Sequence, residues 1–151
     1  MSSLALAIPI LLFTAAFAWW DWKTRTLPNW LTVTALLCGL AFHTFTGGWS
    51  GLGVSLGGFL AGFGVLFVLW LIGGGGGGDV KMMGALGAWL GAPLIMIVVV
   101  ASAFLALAAM IAAIVWKAIF GGAKPSQRAL IPYAIPVSLA TWCLVLLKLA
   151  G

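Results

Sequence analysis

Two aspartates, Asp21 and Asp79, are the only acidic residues of the chain, and each stands at the edge of a long apolar stretch. Each is followed two positions later by a lysine, Lys23 or Lys81. Two carboxyl groups in close contact do not ionise together easily, so one of them keeps a proton near neutral pH. The charged group can then act as a general base on water while the protonated group polarises a carbonyl. Such a pair suits peptide hydrolysis, and it would also suit a proton or cation site.

The composition predicts that these carboxylates belong to a membrane protein. Hydrophobic residues make up 64% of the 151 residues and charged residues only 6%, which is more apolar surface than a soluble fold of this length can bury. A crossing helix needs about 20 apolar residues, so the length admits about six crossings in a single membrane-embedded domain over residues 1–151. The net charge of +5 comes from basic residues at segment ends, which indicates contact with lipid headgroups and no nucleic acid.

The residue types argue against metal or cofactor chemistry. No CxxC pair or His/Cys cluster is present, and neither a Ser-His-Asp set nor a phosphate-binding loop is supported. Cys38 and Cys143 lie within apolar stretches and are interpreted as small buried hydrophobic residues. His43 is predicted to lie near the outer face, far from the aspartates. We therefore predict no metal site and no cofactor.

Apolar runs predict an all-α polytopic fold of about six transmembrane helices. The predicted segments are residues 4–20, 30–45, 52–72, 80–91, 94–116 and 130–149. A polar loop over residues 21–29 ends near Pro28, which cannot continue a helix, and glycines near residue 48 predict a turn. Six consecutive glycines, residues 73–78, precede Asp79, and a short fourth helix is predicted directly after it.

The fourth segment decides the predicted topology. Residues 80–91 would make only about 18 Å of helix, so they either cross a thinned membrane or dip in and return. Crossing places six of the seven basic residues on one face, as the positive-inside rule expects, and we favour it. Those six are Lys23, Arg25, Lys81, Lys117, Lys124 and Arg128. Both aspartates then reach the cytoplasmic boundary.

Glycine dominates the sequence on both sides of Asp79. The run 73–78 permits close approach of another backbone, so an extended substrate could bind there, although a flexible linker is the alternative interpretation. After Asp79, the pairs Gly84/Ala88 and Gly87/Gly91 have the spacing of small residues that lets membrane helices pack backbone to backbone. We expect this packing to hold Asp79 rigidly against neighbouring helices.

Two motifs resemble those of one family. Asp21-Trp22-Lys23-Thr24-Arg25-Thr26-Leu27-Pro28-Asn29 resembles the first box of the type IV prepilin peptidases, and Gly76-Gly77-Gly78-Asp79-Val80-Lys81 resembles their GxGD box. The resemblance implies an intramembrane aspartyl protease that removes the leader of pilin-like precursors at the cytoplasmic face of the bacterial inner membrane. It implies that Asp21 and Asp79 are the catalytic pair. The remaining motif and substrate-positioning residues would be Gly76, Gly78, Lys23, Pro28, Asn29 and Lys81.

The chain also departs from the longer members of that family. Those members carry a four-cysteine zinc domain that has no counterpart in this sequence, so the chain resembles the short form associated with Flp/Tad pili. The sequence gives no basis for the methylation that long members also perform. Asn29 stands where long members often have an aspartate, so the proposed catalytic pair does not need a carboxylate at this position.

Two other functions remain compatible with the residues. A small proton- or cation-coupled transporter could use the same two carboxylates, although both lie at one face and no internal repeat is visible. Alternatively, a noncatalytic assembly subunit could bind pilin precursors without cutting them. Basic residues such as Lys23, Arg25 and Lys81 also have a simpler role as topology anchors.

Overall fold

The computed structural model describes residues 3–73, 76–120 and 133–150. Within these ranges the chain is helical and contains no strand, which confirms the all-α class. The five helices are α1 (Ser3–Thr24), α2 (Asn29–Leu71), α3 (Gly77–Leu90), α4 (Ala92–Phe120) and α5 (Ala134–Ala150). Three predicted features lie partly or wholly outside the described residues: positions 74 and 75 of the glycine run, the basic positions Lys124 and Arg128, and the first residues, 130–132, of the last predicted segment.

Helix α2 is broken at Gly48 and has two arms, residues 29–47 and 49–71. Gly48 has φ 57° and ψ −141°, a conformation that side chains other than glycine rarely adopt. Both arms pack against α3, and their contacts run in opposite directions. In the first arm, Asn29 pairs with Lys81 and Ala35 pairs with Trp89. In the second, Ser55 pairs with Ala88 whereas the later Gly62 faces Met83. The chain therefore turns back at Gly48, where the sequence predicts a turn.

Helix α3 is the centre of the bundle because almost every one of its residues after Lys81 is buried. Its small residues allow the second arm of α2 to approach closely. A Cβ atom on Gly58 would overlap the carbonyl oxygen of Gly87, and a Cβ on Gly87 would overlap that of Gly58. The predicted backbone-to-backbone packing of this helix is therefore confirmed, and its main partner is α2.

Gly91 separates α3 from α4. Its φ of 76° lies in the left-handed region, and its N–H donates to the carbonyl oxygen of Gly87 at 2.8 Å. Pro93 follows in the first turn of α4, where a missing N–H is not costly. The predicted division between residues 80–91 and residues 94–116 is thus confirmed.

In the part of the chain that the structure describes, three helices are long and apolar enough to cross a membrane: Leu4–Thr24, Asn29–Leu71 and Ala92–Trp116. Large hydrophobic side chains cover their outer faces, as expected where lipid is the solvent. These long apolar helices with lipid-compatible outer faces indicate an integral membrane protein. Helices α3 and α5 are shorter, with 14 and 17 residues. The number of crossings, and the crossing of residues 80–91 in particular, remains a prediction.

Two sequence interpretations need correction. The polar loop predicted over residues 21–29 begins later, because α1 continues to Thr24 and carries Asp21 in its last turns. Helix α1 ends where Arg25 takes a positive φ of 54°. The cysteines are also not buried: Cys38 and Cys143 are exposed on the outer surface of the helices, since an apolar position in a membrane helix can face lipid as readily as the protein core.

Candidate active site

Asp21 is held by the last turns of α1 and by the start of α5. Its side chain is only 8% exposed. Its Oδ2 accepts a hydrogen bond from the backbone N–H of Ala134 at 3.1 Å. The amide of Arg25 donates to the carbonyl oxygen of Asp21 at 2.9 Å, which closes the last turn of α1. The carboxylate is therefore fixed by its own helix, α1, and by the amide of Ala134 at the start of α5, which is 113 positions away in sequence.

Asp79 lies in the first turn of α3, ahead of the predicted crossing segment 80–91. Gly76 precedes the helix in an extended conformation, and its N–H donates to Oδ2 of Asp79 at 3.2 Å. A carboxylate is stabilised at this end of a helix because the first N–H groups have no partner within the helix. A Cβ on residue 76 would lie 3.0 Å from that Oδ2, so glycine leaves room for the carboxylate.

Burial and the charge of Asp21 both act on the carboxyl group of Asp79. The pKa of Asp79 is raised from 3.8 to about 6, because burial and the charge of Asp21 raise it by more than the hydrogen bond from Gly76 lowers it. The fold therefore brings the two aspartates within electrostatic reach, although they are far apart in the sequence. A carboxyl with this pKa exchanges its proton within the range in which an enzyme operates.

The remaining motif residues lie where the two boxes meet. Lys81 Nζ donates to Oδ1 of Asn29 at 2.9 Å. Pro28 is extended and precedes α2, and its carbonyl oxygen accepts the N–H of Leu31 at 3.2 Å. Gly78 faces Leu27, whose Cβ would lie 3.5 Å from a Cβ at residue 78. The loop after α1 thus packs on the beginning of α3, the helix that carries Asp79.

Two further residues named by the sequence analysis lie away from this contact. Lys23 is exposed in the last turn of α1, and its role in binding remains a prediction. His43 is at the other end of the bundle, where its Nε2 lies 3.0 Å from the carbonyl oxygen of Trp89. Trp89 is ten residues beyond Asp79 on α3, which corresponds to about 15 Å of helix. In the described ranges, no group of three His, Cys, Asp or Glu side chains could hold a metal ion.

Two residues that no sequence motif indicated, Tyr133 and Ala134, form the start of α5 at the site, where the N–H of Ala134 binds Asp21. Tyr133 precedes α5, and its hydroxyl lies 3.0 Å from Oγ of Ser102. Tyr133 is the only tyrosine of the chain, a signal that could have identified it. The donor to Asp21 is a backbone N–H, which no residue type marks.

The chain belongs to the type IV leader peptidase family, because the model of that family matches residues 6–111. The matched range contains both aspartates, the whole of α2 and α3, and most of α1 and α4. It ends before α5 and before Tyr133. The resemblance stated from the two boxes is thereby confirmed at the level of the family. No curated protein and no solved structure matches the chain.

Proposed function

We propose that this protein is an aspartyl endopeptidase that cleaves the leader peptide from type IV pilin-like precursors of the Flp/Tad kind. The proposal rests on one observation above all: the chain's only two acidic residues come within electrostatic reach of each other, in a member of the leader peptidase family. The chain would act as a single membrane-embedded peptidase domain in the bacterial inner membrane, with its aspartates toward the cytoplasm. The same family membership favours hydrolysis over transport.

The two carboxyl groups would divide the work of hydrolysis. Asp79, whose pKa is raised to about 6, would carry the proton and donate a hydrogen bond to the scissile carbonyl oxygen. Asp21 would accept a proton from water as the water oxygen bonds to the carbonyl carbon. When the carbon–nitrogen bond breaks, the departing amine takes a proton from the pair. One water is consumed, and the pair again shares one proton.

The backbone hydrogen bonds leave room for this chemistry. Each uses only Oδ2 of its carboxylate, and a carboxylate has a second oxygen that can meet water or substrate. The donors belong to backbone at helix starts, so they need no rearrangement as charge moves. Fixed dipoles of this kind stabilise a transition state efficiently.

An apolar groove beside the motif residues supports a helical membrane substrate. The groove has a volume of about 340 Å³ and lies between the two arms of α2. Its lining includes Val33, Leu36, Phe59 and Phe63, with Lys81 and Asn29 also among the residues that form it. A few apolar side chains on the helix of a precursor could pack in this groove while its leader junction reaches the aspartates.

The stacked aromatic rings of the second α2 arm extend toward the GxGD box. Successive centroids from Phe59 to Phe63, Phe67 and Trp70 are 5.4, 5.4 and 5.7 Å apart. Trp70 Nε1 lies 3.9 Å from the position of a Cβ at Gly77. A precursor helix packed along this arm would therefore be guided toward the start of α3.

The experiment that tests the function is co-expression of the protein with a membrane-inserted pilin-type precursor. We expect a shortened product whose new N-terminus, read by mass spectrometry, lies at the junction between the basic leader and the apolar helix. Full-length precursor that is bound but never cut would instead support an assembly subunit. Asp79-dependent ion flux in liposomes, without cleavage, would support a transporter.

A further inference from the structure

We propose that Tyr133 and Ser102 form a positioning pair that holds the backbone amide of Ala134 against the carboxylate of Asp21. The inference deepens the peptidase proposal above and rests on it for the catalytic role of Asp21. It assigns a function to the start of α5, which lies beyond the residues matched by the family model.

The direction of the hydrogen bonds follows from the single hydroxyl hydrogen of Ser102. Ser102 is completely buried on α4. Its Oγ donates to the carbonyl oxygen of Val99 at 3.0 Å and lies 3.0 Å from the Tyr133 hydroxyl. Because the serine hydrogen is used on Val99, the tyrosine must donate to the serine oxygen. The phenol ring is thereby anchored to α4.

Anchoring Tyr133 fixes the first turn of α5. The carbonyl oxygen of Tyr133 accepts the N–H of Val137 at 3.3 Å, which makes Tyr133 the residue that begins the helix. The next residue is Ala134, and its N–H has no partner within α5 because it belongs to the first turn. That N–H points instead to Oδ2 of Asp21 at 3.1 Å.

Helices α1, α4 and α5 therefore meet through one chain of contacts that runs from Val99 to Ser102, Tyr133, Ala134 and Asp21. Ala134 is fully buried. Its N–H therefore cannot replace the hydrogen bond to Asp21 with one to bulk water unless the start of α5 moves. Without the tyrosine hydroxyl, the hydrogen bond that ties this start of α5 to Ser102 of α4 is lost. We expect the Asp21 carboxylate then to lose its fixed orientation toward the water it activates.

The test compares Tyr133→Phe and Ser102→Ala with the wild-type protein in a purified precursor-cleavage assay. Each variant removes one hydroxyl from the pair. We expect kcat to fall by about 10- to 100-fold, the loss typical of a misplacement near 1 Å, with little change in KM. The double variant should be no worse than either single variant, because the two hydroxyls act as one unit.

Ser55→Ala is the matched control. Ser55 is also completely buried, and its Oγ also donates to a backbone carbonyl, that of Ala88 at 2.7 Å. It lies near the other end of α3 from Asp79. We expect normal kcat in this variant. A loss of kcat in Ser55→Ala as large as in Ser102→Ala would mean that any buried serine matters, and would overturn the positioning role.

A second readout does not depend on cleavage. A hydrophobic carbodiimide labels carboxyl groups, and mass spectrometry can quantify the label on Asp21 separately from that on Asp79. Release of the Ala134 amide should expose Asp21, so Tyr133→Phe should raise its labelling several-fold while Ser55→Ala leaves it unchanged. If the wild-type protein cleaves no precursor but Tyr133→Phe still raises the labelling of Asp21, the peptidase proposal is refuted and the structural role of the Tyr133–Ser102 pair stands. Unchanged labelling and unchanged kcat in Tyr133→Phe would overturn the inference itself.

Discussion

Lys81 donates a hydrogen bond from Nζ to Oδ1 of Asn29 at 2.9 Å, joining the two polar boxes across 52 positions of sequence. Asn29 is the first residue of α2, and Lys81 is two positions beyond Asp79. The contact therefore fixes the start of α3 to the loop that follows Asp21. It also gives the side chain of Asn29 a hydrogen-bond partner in the second box.

We predict that Asn29→Leu and Lys81→Met each lower precursor cleavage by about tenfold, because each removes a hydrogen bond worth about 1 kcal/mol that fixes the start of α3 to the loop after Asp21. Asn29→Asp should retain activity, since a carboxylate accepts a hydrogen bond from lysine at least as well as an amide oxygen does. Initial rates with purified protein are the measurement, with Lys148→Met at the far end of α5 as the control. Full activity of Asn29→Leu would show that the contact is dispensable.

The pH dependence of cleavage should follow the raised pKa of Asp79. The proposed acid is protonated below about pH 6 and loses its proton above that value. We therefore expect kcat/KM, which reports on the free enzyme, to decline as pH rises through about 6. The value would belong to the coupled pair and not to one residue. A profile that rises through this range would contradict the assignment of Asp79 as the acid.

Replacing the charge of Asp79 should stabilise the folded protein at neutral pH. The folded pKa of about 6 exceeds the ordinary 3.8, so ionised Asp79 destabilises the fold above pH 6, and this effect vanishes below pH 3.8. The shift of about two units corresponds to at most about 3 kcal/mol, and partial exposure of Asp79 reduces this to about 1 kcal/mol.

The measurement is the melting temperature of Asp79→Asn and of the wild type in detergent at pH 4 and pH 7.5. We expect the variant to melt a few degrees higher at pH 7.5 and at about the same temperature at pH 4. Identical melting differences at the two pH values would show that the charge of Asp79 carries no such penalty.

Close packing of α2 on α3 predicts a sharp difference between two adjacent glycines. A Cβ on Gly58 would overlap the carbonyl oxygen of Gly87, whereas nothing lies within 4 Å of a Cβ on Gly57. We expect Gly58→Ala to separate the helices, with reduced yield of folded protein and a lower melting temperature. Gly57→Ala should be neutral or stabilising, because alanine favours a helix over glycine by about 1 kcal/mol. Equal melting temperatures for the two variants would contradict the packing.

Much of this arrangement could be predicted from residue types. Asp21 and Asp79 stand out because they are the only acids. Gly48 and Gly91 mark chain breaks because a positive φ favours glycine there. The small residues of α3 predicted close packing because their spacing places them on one helix face. The ends of α1 and α3 were less clear, since both helices extend past the apolar residues to include an aspartate.

Other parts of the site depend on tertiary contacts that no local pattern encodes. The amide of Ala134 reaches Asp21 only because α5 packs beside α1, and any residue type except proline could supply that donor. The bond from Lys81 to Asn29 joins two residues that would each serve equally well as surface polar groups. Tyr133 belongs to no sequence motif that indicates catalysis.

The central claim is that Asp21 and Asp79 act together as the hydrolytic pair. Its most direct measurement is single-turnover cleavage of a membrane-inserted pilin-type precursor by purified wild-type, Asp21→Asn and Asp79→Asn proteins, each verified as folded by its melting transition. We predict that the wild type releases the leader and that each asparagine variant loses at least about 1,000-fold in rate, because removing one member of a catalytic unit costs nearly as much as removing all of it. Cleavage at the wild-type rate by either variant would contradict the account.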